Sequence, residues 1–278
     1  MSSIAAKKIL VRVVIYAGLL YIALCGEAVF FADSLIFQPH RSSYRDNPGI
    51  IKITSSNGHK ISAIYLPNES ARFTLLVSHG NGEDLGDIRD WLDDMRQAGF
   101  SVLAYDYQGY GTSQGKPSEQ AAYDDESAAY DFLALNLATP PDRIIIFGRS
   151  VGTGPAVHLA TRRPAAGLVL QSPFLSAFRV LTRVPILPFD RFPNYKRIRH
   201  VHCPVLIMHG TSDSVIGIWH GRKLFELANQ PKEFVPVKGA DHNDVSPSVT
   251  RIYNEALVQF ASSLEGNLSG TDRDEPAR

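Results

Sequence analysis

The chain is 278 residues long, 44% apolar and 20% charged, with 28 basic residues balanced by 28 acidic ones. That length and composition can bury a substantial core, and zero net charge without a basic stripe argues against a nucleic-acid partner. Cys25 and Cys203 sit in unrelated contexts and no Cys/His cluster has metal-ligand spacing, so no disulfide, metal or cofactor is expected.

The first element is an apolar run over residues 9–26, preceded by Lys7 and Lys8 and interrupted by one charge, Arg12. A spanning helix needs ~20 such residues, and Arg12 lies close enough to the end to snorkel toward headgroups. Glu27 marks the expected exit, with residues 28–32 as an extension if Glu27 is tolerated at the interface. A membrane anchor over residues 1–32 is the expectation. A cleaved signal peptide is the competing reading, for which Ala23 and Cys25 are a poor small-residue pair. Either way the basic residues keep the N-terminus cytoplasmic and send the rest across the membrane. The sequons at Asn68 and Asn267 bear only on a eukaryotic secretory route.

Beyond the apolar run the pattern alternates. Asn57-Gly58 separates strand-like runs at 50–55 and 60–66, a hairpin signal. Further strands are expected at 74–78, 101–106, 143–147, 167–171, 205–209 and 233–237, and helices at 87–98, 119–137, 151–162, 218–227 and 246–263. This rhythm predicts an α/β fold, a mostly parallel open sheet with helices on both faces. Residues 172–199 break it with four prolines and many bulky apolar residues. A small cap is expected there, its apolar side chains either lining an acyl-binding surface or packing down on the core. The domain proper is expected over 33–263 and an unstructured polar tail over 264–278.

Four strand-end loops carry the chemistry. Gly148-Arg149-Ser150-Val151-Gly152 stands between a β-branched strand and a helix, the setting of a nucleophile elbow whose flanking glycines relieve crowding. A serine hydroxyl needs a base, and the base needs an orienting carboxylate. Asp213 follows the strand at 205–209 and His242 follows the strand at 233–237, so Ser150, Asp213 and His242 leave one sheet edge in the order Ser, Asp, His. Asp241 and Asp244 lie too near His242 in sequence to reach around its ring. Asp106 precedes the serine and is expected to brace a turn, while His79 and His209 are read as loop-shaping hydrogen-bonders. Two backbone N–H groups are expected to face the developing oxyanion: that of Val151, after the nucleophile, and that of Asn81 in His79-Gly80-Asn81-Gly82, after an early strand.

With these motifs, together with Tyr105-Asp106-Tyr107-Gln108-Gly109-Tyr110-Gly111, Gln171-Ser172-Pro173-Phe174 and Phe192-Pro193-Asn194, the chain resembles the α/β-hydrolases. Within them it is similar to a branch holding the depalmitoylating abhydrolase-domain proteins and their membrane-anchored microbial relatives. The resemblance covers about residues 50–262. It implies an acyl-enzyme mechanism on carboxylic esters or thioesters, with acyl-protein or lipid acyl groups as substrates. The animal proteins attach through a lipidated cysteine-rich N-terminus, whereas this chain begins with a hydrophobic span. Phe174 and Phe178 are expected in the substrate pocket. A serine peptidase using the same three residues, or a silent membrane-bound binding module, are the alternatives.

Overall fold

The computed structural model describes residues 3–271, with side chains described from Lys7 to Glu265. Helix α1 (Ser3–Ile36) leads into eight strands: β1 (Ile51–Thr54), β2 (Lys60–Leu66), β3 (Thr74–Ser78), β4 (Ser101–Tyr105), β5 (Ile144–Arg149), β6 (Gly167–Gln171), β7 (Val205–Gly210) and β8 (Lys232–Val237). They form one sheet in the order β1-β2-β4-β3-β5-β6-β7-β8. The β1–β2 and β2–β4 pairs are antiparallel and all the others parallel. The hairpin turns at Gly58, whose φ of 86° explains the glycine.

Between the strands run α2 (Arg89–Gln97), α3 (Glu119–Asp131), α4 (Thr153–Ala160), the short α5 (Ala177–Leu181) and α6 (Asn194–Arg197), then α7 (Trp219–Leu227) and α8 (Pro247–Thr271). Side chains of each strand alternate between two cores, as the strand period of two requires. Leu76, Leu103, Ile146 and Ile207 pack with α3, α4 and α7 on one face. Leu75, Val102, Ile145 and Leu206 pack with α2 and α8 on the other. The middle strands are buried on both faces, which is why they read as largely apolar runs without alternation.

Both chain ends depart from expectation. Helix α1 does not stop at Glu27 but continues to Ile36. Its last turns stay helical because they dock: Ala32 is fully buried, and Asp33 Oδ1 accepts the Glu119 N–H at 3.3 Å. Phe37, just beyond, is buried edge-on to Tyr107, Tyr110 and Phe192. A boundary at residue 32 therefore cuts through packed structure. At the other end α8 runs on to Thr271, so the polar stretch expected to be unstructured from 264 is helical that far, and 272–278 lie outside the described residues.

Candidate active site

Strand β5 ends at Arg149, and Ser150 takes a φ of 52° before a single 3-10 turn leads into α4. A non-glycine residue in that left-handed region is strained and persists only where its surroundings over-determine it. They do so here by proximity. A Cβ at Gly148 would lie 2.6 Å from the Gly152 carbonyl oxygen, and one at Gly152 would run into the backbone carbonyls of Ser78 and His79. The elbow is pressed against the end of β3, and only glycines let it approach.

Ser150 Oγ lies 2.9 Å from His242 Nε2, and His242 Nδ1 lies 2.8 Å from Asp213 Oδ2. The other Asp213 oxygen accepts the N–H groups of Val215 at 3.0 Å and Ile216 at 2.7 Å, which fixes the carboxylate's rotation. Burial alone would raise the Asp213 pKa, but hydrogen bonds from His209, His242 and the Ile216 N–H outweigh it and hold the carboxyl well below the usual range. Asp213 is thus an anion at neutral pH. Asp241 stays away from the ring: its Oδ1 accepts from Ser214 N–H, Ser214 Oγ and His242 N–H, so it shapes the loop.

The remaining candidates sit as braces. His209 is buried, its Nε2 at 2.7 Å from the Ile216 carbonyl and 3.3 Å from Asp213 Oδ2. His79 is buried against Tyr107, with Nε2 3.3 Å from Asp106 Oδ1. Asp106 in turn accepts the Leu85 N–H at 3.0 Å and the Tyr44 hydroxyl at 2.5 Å. Among the described residues, one trio of possible metal ligands, His40, Asp84 and Asp87, lies close together. The Asp84 oxygens are already taken by Ser43 and by the Gly86 N–H, so the trio is wired as a turn.

The loop after β3 carries two features that the sequence did not announce. Glu83 Oε1 accepts the Gly80 N–H at 2.6 Å, and Arg149, beside the nucleophile, pairs with Glu83 Oε2 at 3.1 Å. Positions 66 residues apart share no local pattern, so only the fold reveals this strut. Asn81 was singled out for its backbone, yet its side chain is fully engaged too. Nδ2 donates to the Ile36 carbonyl at 2.7 Å, while Oδ1 accepts the Gln38 N–H and the Tyr110 hydroxyl. The end of α1 is therefore tied to the loop that faces Ser150.

A cavity of about 410 Å³ opens above Ser150 and His242, bordered by Gly80, Asn81 and Val151 and mostly apolar beyond them. Phe174 and Phe178 both line it, as do Leu35 and Ile36 of α1, which sequence reasoning left out. The apolar side chains of segment 172–199 divide between the core and the surface. Phe174, Leu175 and Phe192 pack into the core, whereas Leu181, Val184 and Ile186 stay exposed. Ser172, at its start, and Phe192, seven residues before its end, both have positive φ, so the chain kinks at both points. A larger depression of about 750 Å³ lies between α2 and α8 and holds none of these residues.

The chain belongs to the α/β-hydrolase family, and it is a hydrolase of that type. Its sequence is 40% identical over 218 residues to alpha/beta hydrolase domain-containing protein 17B of Homo sapiens, covering 77% of this chain and 75% of that protein. The family described as "Serine aminopeptidase, S33" matches residues 69–187, a stretch that ends before Asp213 and His242. Among solved structures, the Pyrococcus furiosus esterase Pf2001 superposes with a TM-score of 0.69 at 18% identity, covering 81% of this chain and 98% of that one. A Mycobacterium tuberculosis puromycin-hydrolyzing peptidase does so with a TM-score of 0.65 at 14% identity, covering 79% of this chain and 40% of that one. An esterase and a peptidase share this architecture, so the fold by itself does not choose between them.

Proposed function

We propose that the chain is a membrane-tethered serine hydrolase that cleaves carboxylic esters or thioesters, of lipids or acylated proteins, through an acyl-enzyme. The observation that carries this is the chain of contacts from Ser150 Oγ to His242 at 2.9 Å and on to Asp213 at 2.8 Å, set at the floor of an apolar cavity. Ser150 Oγ attacks the carbonyl carbon as His242 Nε2 takes its proton. Asp213 keeps the Nδ1–H tautomer and stabilises the imidazolium. The N–H groups of Val151 and Asn81 hold the oxyanion, with the strut from Glu83 to Gly80 fixing the loop that presents Asn81. The imidazolium then protonates the leaving alcohol or thiol, and a water deprotonated by His242 releases the acid.

Helix α1 supplies the tether: residues 7–36 are long and apolar enough to cross a membrane. Lys7 and Lys8 favour a cytoplasmic N-terminus and a catalytic domain on the far side. The Tyr21 hydroxyl, upstream of the Cys25 cleavage point, donates to the Ile186 carbonyl at 2.8 Å, which supports a retained anchor over a cleaved signal. The resemblance to depalmitoylating proteins supports thioesters among the substrates.

The peptidase reading draws on the matched family's description, and the cavity argues against an aminopeptidase. Recognition of a free α-amine calls for an unpaired carboxylate. Among the described lining residues Glu83 is the one acid, and Arg149 and the Gly80 N–H already occupy it. Comparing butyryl ester, butyryl thioester and aminoacyl amide, with Ser150→Ala as control, tests this. Both acyl substrates should turn over and the amide should not; amide turnover above ester turnover would reverse the assignment.

A further inference from the structure

A second cavity, about 180 Å³, lies between the last turns of α1 and the tip of the cap. One wall is the stripe Ala28, Ala32 and Leu35 of α1, spaced to lie on a single helix face and spanning about 10 Å along the axis. The opposite wall is Pro185, Leu187 and Phe189 of the cap. Leu35, Phe178 and Leu181 line both this cavity and the one above Ser150. The two are therefore adjoining compartments that share three apolar side chains.

We propose that this cleft is a binding site for the distal part of a long acyl chain, which enters directly from the bilayer along α1 and reaches Ser150 with its carbonyl end. The proposal rests on the serine-hydrolase reading above. Its mouth lies where lipid chains would be. The Tyr21 hydroxyl donates to the Ile186 carbonyl at 2.8 Å, so the cap tip reaches a point roughly 20 Å up the anchor from Ile36. Tyr21 stands inside the apolar run 9–26, which is long enough to cross the ~30 Å hydrocarbon core, so a tip held at that level lies within it.

The exposed side chains suit that setting. Leu181 is 84%, Val184 63% and Ile186 50% exposed on the cap, and Phe30 is 84% exposed on the helix. Such a surface is costly in water and at no cost in lipid. Asp190 and Thr182 at the cleft's edge are occupied within the cap, Asp190 accepting from Ser176 Oγ and Phe178 N–H and Thr182 donating to backbone carbonyls. The Arg179 guanidinium stacks over Tyr195, with its Nε buried and unpartnered, and the rest of the lining is apolar. That lining fits a hydrocarbon tail rather than a headgroup. A short acyl group fits the first compartment alone, so the second selects for length.

The test uses the full chain in lipid nanodiscs and two fluorophosphonates, one with a short alkyl chain and one with a hexadecyl chain ending in a diazirine. The long probe, once on Ser150 and irradiated, should crosslink to residues 182–189 and to the 21–36 stretch of α1. Ala28→Trp, and independently Leu187→Trp from the opposite wall, should each lower the ratio of long-probe to short-probe labelling rates about tenfold. Crosslinks confined to residues elsewhere, or a ratio unchanged in both variants, would overturn the proposal while leaving the hydrolase reading standing. Failure of both probes to label wild-type protein would instead remove the hydrolase reading, and the passage with it.

Discussion

Asp213→Asn and Asp241→Asn make a matched pair, because both remove one charge beside His242 while the structure gives them opposite consequences. Asparagine offers one acceptor and one donor where aspartate offers two acceptors. At position 213 the N–H groups of Val215 and Ile216, at 3.0 and 2.7 Å, claim the acceptor. The amide NH2 is then left facing His242 Nδ1 across 2.8 Å. Nδ1 has to accept, the ring proton moves to Nε2, and Nε2 no longer takes a proton from Ser150. The same swap in Ser-His-Asp sites costs about 10⁴ in kcat, or ~5 kcal/mol at the barrier. At position 241 the Oδ1 contacts to Ser214 and the His242 N–H survive in asparagine, and only the longer Ser214 contact to Oδ2, at 3.1 Å, is given up. The expected loss there is less than about tenfold, in line with an exposed hydrogen bond. The assay is kcat on a saturating butyryl ester, with thermal unfolding to show that both variants fold. A greater loss at 241 than at 213 would refute the assignment of the orienting acid.

Other parts of the site make their own predictions. Glu126 is buried beneath Ser78, and burial pushes its carboxyl up to about 8 against the opposing Ser78 hydrogen bond. The unfolded chain releases that proton near pH 4.3, so the native state binds more protons between there and pH 8, and stability falls as pH rises through that window. Glu126→Gln should flatten the thermal midpoint's slope between pH 5 and 8 and raise the midpoint at pH 8; an unchanged slope contradicts this. Gly152→Ala places a methyl against the Ser78 and His79 carbonyls, which have no rotamer to escape into. It should cost ~1–3 kcal/mol of stability and most fluorophosphonate labelling. Glu83→Ala frees the Gly80 N–H and unpairs Arg149, and should lower kcat about tenfold with little change in KM; a change confined to KM would make Glu83 a substrate contact instead. Alkaline carbonate washing should leave the full chain in membranes, whereas release would favour a cleaved signal over an anchor.

The sheet was legible in the sequence because its chemistry is local. Central strands such as Ile144–Arg149 and Gly167–Gln171 are β-branched or apolar up to their last residue, since both faces are covered. The Ser150, Asp213 and His242 loops follow from those strands, because a parallel sheet delivers successive strand ends to one edge. Other features depend on contacts that no window of residues contains. The Glu83–Arg149 strut, the Asn81 clasp on Ile36 and Gln38, and the cap tip's bond to Tyr21 join segments 43 to 165 residues apart. Helix α1 runs past the extension expected to residue 32 for the same reason: its last turns dock on the domain through Ala32 and Asp33, a contact no local window contains. The cap escaped a single description because its apolar residues divide, Phe174 and Phe192 inward and Val184 and Ile186 outward.

The most direct measurement of the central claim is intact-mass and peptide mapping of the full chain after reaction with a fluorophosphonate. The account expects one phosphonyl group per chain, located on Ser150, absent in Ser150→Ala and formed at least a hundredfold more slowly in His242→Ala, whose hydroxyl has lost its base. Absence of an adduct on folded protein, or an adduct on another residue that persists in Ser150→Ala, would contradict it.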